Sequence, residues 1–64
     1  MTWELYEVWA EDENGHEELV EATKSLKEAN ILAQKTLEEG AEVVRIFKEN
    51  EDGDLDEIDV LYAD

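Results

Sequence analysis

Ser25, His16, three threonines and two tyrosines are the whole stock of hydroxyl and imidazole groups in this chain. Nucleophilic catalysis needs a hydroxyl or thiol beside a base that a third group orients, and nothing in the spacing assembles such a set. Ser25 precedes a helical pattern and is followed by Glu28 as in the S-x-x-E capping box, so its oxygen is expected to cap a helix. His16 follows a turn signal, where a solvated surface histidine is expected rather than a proton shuttle. With no Cys and one His, disulfides, thiolate metal sites and nitrogen-rich zinc sites are excluded.

Carboxylates are abundant, twenty in all, and that abundance removes the meaning of any one close pair. A calcium loop aligned on Gly15 would place Ala10 at its first ligand position, and one aligned on Gly53 would place Lys48 there. Both lack the residue that anchors the ion, so loose cation binding at the turns is expected and a dedicated metal site is not. There is no glycine-rich phosphate loop and no basic stripe with interleaved aromatics. The expectation is a non-enzymatic binding protein with no cofactor.

Twenty acids against five bases give a formal net charge of −15 over 64 residues. Such a chain repels nucleic acid and anionic membrane surfaces, so the expected partner is a basic protein surface, with no direct nucleic acid and no membrane. The acids are not spread evenly. The segments Glu11 to Glu21 and Glu49 to Asp59 hold thirteen of the twenty and contain no Lys or Arg. The absence of a signal-peptide pattern or a long apolar run places the protein in the cytoplasm as an expectation.

These residues must be positioned by a small scaffold. One domain, residues 1–64, is expected, and a chain of this length buries roughly 60% of the surface it exposes when unfolded. Trp3 to Ala10 is rich in aromatic and β-branched residues and runs into Asn14-Gly15, a type I′ hairpin signal, with a return strand from about Glu18 to Thr23. A two-residue loop there sets Trp9 opposite Val20 and Tyr6 opposite Thr23. Leu26, Ala29, Leu32, Ala33, Thr36 and Leu37 then form one helical stripe, with Gly40 as a left-handed C-cap and Ile31 off the stripe. Glu42 to Lys48 reads as a buried strand, and Asp52-Gly53 turns it into Leu55 to Tyr62, setting Phe47 against Ile58, Arg45 against Val60 and Val43 against Tyr62.

The fold class expected is α+β: a ββαββ domain with one helix packed on a four-stranded, mostly antiparallel sheet. The first strand carries large residues on both sides, Trp3, Leu5 and Trp9 on one and Tyr6 and Val8 on the other, so one set must be exposed or covered by another chain.

In this topology the two acidic hairpin tips lie at opposite ends of the sheet. The residues expected to contact a partner are Glu11, Asp12, Glu13, Glu17 and Glu18 at the first end, and Glu51, Asp52, Asp54, Asp56, Glu57 and Asp59 at the second. Acids at alternate strand positions, such as Asp54 with Asp56 or Glu57 with Asp59, would repeat every 6 to 7 Å or so along one face and imitate a nucleic-acid backbone. In small size and acidity the chain resembles the DNA-mimic inhibitors that phages direct against host restriction or CRISPR nucleases. That resemblance implies occupation of a lysine- and arginine-lined groove. A second expectation is a host regulatory or assembly module that binds a protein, or its own copy as a homodimer, through the aromatic face of Trp3, Leu5 and Trp9. A third is adaptation to a saline cytoplasm, in which the charge serves only solvation.

Overall fold

The structure is a computed structural model that describes residues 5–63. Two hairpins flank one helix: β1 (Leu5–Glu11), β2 (Glu17–Thr23), α1 (Leu26–Glu38), β3 (Val43–Glu49) and β4 (Leu55–Tyr62). The strands form one antiparallel sheet in the order β2-β1-β3-β4, which is the expected ββαββ domain.

The helix starts and stops where its ends are hydrogen-bonded. Ser25, in extended backbone, accepts the Glu28 N–H on its hydroxyl, and Thr23 donates its own hydroxyl to the Ser25 carbonyl at 2.9 Å. At the far end Gly40, with φ +117°, donates to the Leu37 carbonyl while Ala41 donates to that of Thr36. This is the Schellman closure that a left-handed glycine permits.

The core is small: Tyr6, Val8, Val44 and Ile46 from the central strands and Ala29 and Ala33 from the helix, with Leu32, Leu37, Ala41 and Leu61 packed around them. Two alanines on the buried stripe let the helix backbone approach the sheet closely. Leu26, expected on that stripe, is 41% exposed, and Ile31 is 61% exposed on the outer side of the helix.

Both hairpin turns differ from expectation in the same way. Asp12 and His16 close the first loop through Asp12 N–H to the His16 carbonyl, and Asn50 and Asp54 close the second through Asn50 N–H to the Asp54 carbonyl. Each loop therefore has three residues, not two, with Gly15 (φ +83°) or Gly53 (φ +86°) in the left-handed last position. An Asx side chain selects this loop. Asp12 Oδ1 accepts from Asn14 and His16 N–H at 2.8 and 3.0 Å, and Asn50 Oδ1 accepts from Asp52 and Asp54 N–H at 2.9 and 3.1 Å.

The extra loop residue shifts each register by one, and a β-bulge then corrects it. Trp9 faces Leu19 rather than Val20, and Phe47 faces Glu57 rather than Ile58. Beyond the bulges the expected pairs appear: Tyr6 with Thr23, Arg45 with Val60, and Val43 with Tyr62. Val20 and Ile58 are the bulged residues, about 40% exposed at 40% and 41%.

The two hairpins are thus one unit used twice. Tyr6 corresponds to Val44, Val8 to Ile46, Asp12 to Asn50, Gly15 to Gly53 and Val20 to Ile58. Val8 pairs with Ile46 at the centre of β1–β3, so a pseudo-two-fold axis passes through that pair, perpendicular to the sheet. The pseudo-symmetry places the two tips at opposite ends of a molecule whose longest extent is 38 Å.

Candidate binding surface

Strand alternation and the buried set sort the side chains. Tyr6, Val8, Val44 and Ile46 face the helix, so Leu5, Glu7, Trp9 and Glu11 of β1 and Val43, Arg45, Phe47 and Glu49 of β3 lie on the opposite, open face. Cross-strand pairing extends the division to the edges. Glu17, Leu19, Leu55, Glu57 and Tyr62 join the open face, whereas Glu18, Glu21, Asp56 and Asp59 stand on the helix side.

Arg45 organises the open face. Its Nη1 lies 3.3 Å from Glu17 and 3.6 Å from Glu11, and its Nε lies 3.5 Å from Glu57. One guanidinium on β3 therefore holds carboxylates from β1, β2 and β4 together, which ties all four strands across the sheet. Three of the acids expected to meet a partner, Glu11, Glu17 and Glu57, are consumed in this way. Their signal in the sequence was hidden because Arg45 lies far along the chain from Glu11 and Glu17.

The other expected residues divide between tips and edges. Glu13, Glu51, Asp52 and Asp54 are exposed at or beside the loops, while Asp12 turns its carboxylate inward to hold its own turn. The backbone N–H of His16, and to a smaller degree that of Asn14, lower the Asp12 pKa. His16 Nδ1 stands 3.7 Å from Asp12 Oδ2. Among the described residues, no group of three or more His, Cys, Asp or Glu could hold a metal ion.

The bulge at Ile58 also changes the expected carboxylate row. Glu57 pairs with Phe47 on the open face and Asp59 with Ile46 on the helix side, so these two do not share a face. Asp56 and Asp59 do, Asp56 accepting from Asn50 Nδ2 at 3.4 Å and Asp59 accepting the Val60 N–H at 2.9 Å. The pseudo-symmetry supplies their counterparts on β2: Glu18 opposite Ala10 and Glu21 opposite Val8. Glu21 was not among the expected residues; only the bulge at Val20 brings it into this row.

Of the aromatic residues expected on the alternative surface, Trp3 lies outside the described residues. Leu5 and Trp9 are half-buried, and Trp9 donates its indole N–H to Glu7 at 3.0 Å. The exposed apolar groups on this face are instead Leu19, Leu55 and Tyr62 at its margins. Among the described residues, no helix is long and apolar enough to cross a membrane. Comparison with family models, curated proteins and solved structures finds no match to this chain.

Proposed function

We propose that the chain is a non-enzymatic binding protein whose acidic surface occupies the basic, nucleic-acid-binding groove of a partner protein, in the manner of a DNA-mimic inhibitor. The observation that carries this reading is the pair of carboxylate rows on the helix side, Glu18 with Glu21 on β2 and Asp56 with Asp59 on β4, all exposed. Each row spans about 7 Å along its strand, and three inter-strand spacings set the rows about 14 Å apart. That separation is of the order of the B-DNA major groove, about 12 Å wide. The rows run antiparallel and are related by the pseudo-two-fold axis, as the two phosphate strands of a duplex are related by its dyad. The tips add Glu13, Glu51, Asp52 and Asp54 at the two ends, and the resulting field favours fast capture of a cationic groove.

The test is binding to a DNA-binding protein captured from lysate, measured with duplex DNA as competitor. Duplex DNA should displace the chain, affinity should fall steeply between low and high salt, and changing Glu18, Glu21, Asp56 and Asp59 to Gln or Asn should slow association at least tenfold while the fold persists. A partner that binds chain and DNA together, or that ignores all four changes, would overturn the reading.

A further inference from the structure

On the helix side α1 covers the two central strands, whereas none of the described residues covers the open side, whose composition differs in kind. Lys24 lies in the connection between β2 and the helix, Lys27 and Lys35 lie on the helix, and Lys48 shares the Tyr6 side of β3. On the open face of the strands the only described base is Arg45, against Glu7, Glu11, Glu17, Glu49 and Glu57. Around this acidic ground stand apolar side chains that the described residues leave uncovered: Tyr62 at 69% exposure, Leu19 at 47% and Leu55 at 42%, flanking half-buried Trp9 and Phe47. Leu19 and Leu55 lie on opposite edge strands and Tyr62 lies at the far end of β4, so the apolar groups frame the face rather than clustering at one point.

We infer that this open face is a second docking surface, distinct from the helix-side rows, and that its occupant is a basic amphipathic helix of a partner protein. Charge complementarity selects a cationic occupant, since five carboxylates face one guanidinium there. A second copy of this chain would bring the same five carboxylates against themselves. Size selects a helix. Strands of seven residues span about 23 Å and four strands about 14 Å, the footprint of one helix of about fifteen residues. The opposite face already accepts a helix of thirteen residues, so an incoming helix would complete a three-layer arrangement. Laid diagonally, its apolar stripe would cross Leu19, Trp9, Phe47 and Leu55 with Tyr62 at its margin, and its lysines or arginines would reach Glu7 and Glu49 and share the carboxylates now gathered on Arg45.

The probe is a synthetic 18-residue Leu/Lys peptide with a 3.6-residue apolar period, set against a scrambled peptide of identical composition and charge. Amide chemical shifts of the intact chain report the contact. The striped peptide should bind at least tenfold more tightly than the scrambled one and shift the amides of Trp9, Leu19, Phe47 and Tyr62. The double variant Leu19→Ser, Tyr62→Ser, which alters exposed side chains and whose fold the same spectra verify, should lose at least tenfold in affinity. Equal binding of both peptides, shifts confined to the loops and helix, or self-association of the chain over this face would overturn the inference. The groove reading is tested separately, because changes at Glu18, Glu21, Asp56 and Asp59 leave the open face intact.

Discussion

At the scale of single residues, Arg45 is the position on which most depends. Its guanidinium is the shared counter-ion of Glu11, Glu17 and Glu57, and its side chain is 27% exposed, so each contact is screened by water and contributes no more than about 1 kcal/mol. Removing the cation also leaves three carboxylates facing one another. Arg45→Met is therefore expected to destabilise the fold by about 1 to 2 kcal/mol, a fall in Tm of several degrees for a domain of this size, with much of the loss restored by salt. Adding Glu11→Gln, Glu17→Gln and Glu57→Gln should recover stability, and thermal melts of the two variants check both statements. Asp12 acts more locally. Its pKa is lowered in the folded state, so its ionised form stabilises the turn above the unfolded value, and that contribution is lost as pH falls through and below the carboxylate range. The difference in Tm between the parent and Asp12→Ala should accordingly be larger at pH 7 than at pH 3.

At the scale of elements, the repeated hairpin couples a three-residue loop to a bulge five residues further on. Gly15 and Gly53 have positive φ and no atom within 4 Å of where a Cβ would stand, so a substitution there meets backbone strain and no clash. Gly53→Ala should cost about 1 to 2 kcal/mol, and Gly53→Asn less, because Asn tolerates the left-handed region. A denaturation series of the two variants separates strain from crowding. The bulges interrupt β2 and β4, the edge strands of the described sheet, and with the edge acids they oppose pairing between molecules.

For the whole molecule the balance lies between a small core, six buried residues among those described, and a charge of −15. Self-repulsion of that size opposes compaction, and salt screens it over about 10 Å at 0.1 M. Raising NaCl from 10 to about 500 mM should raise Tm by several degrees, and a melting temperature independent of salt would contradict this account. The core has little in reserve. Val8 and Ile46, both fully buried, meet at the pseudo-two-fold axis, and Ile46→Val should cost about 1 kcal/mol while Ile46→Ala, at about 2 to 5 kcal/mol, should leave the chain largely unfolded by chemical denaturation at room temperature.

The order of elements, the span of the helix and the division of β1 into Tyr6 and Val8 against Leu5 and Trp9 follow from the sequence itself. Capping by Ser25 and Gly40, a 3.6-residue apolar stripe and two-residue alternation act over a few neighbouring positions. The placement of acidic tips at opposite ends follows as well, once antiparallel hairpins are joined by a returning helix. Asn14-Gly15 and Asp52-Gly53 marked the turns but not their length, because the deciding hydrogen bonds come from Asp12 and Asn50, outside each dipeptide. Tertiary structure alone decided the rest: the bulges at Val20 and Ile58, the separation of Glu57 from Asp59, the recruitment of Glu21, and the convergence of Glu11, Glu17 and Glu57 on Arg45. Each depends on which strands become neighbours and in what register, and those pairings join residues whose chain separation leaves no periodic trace.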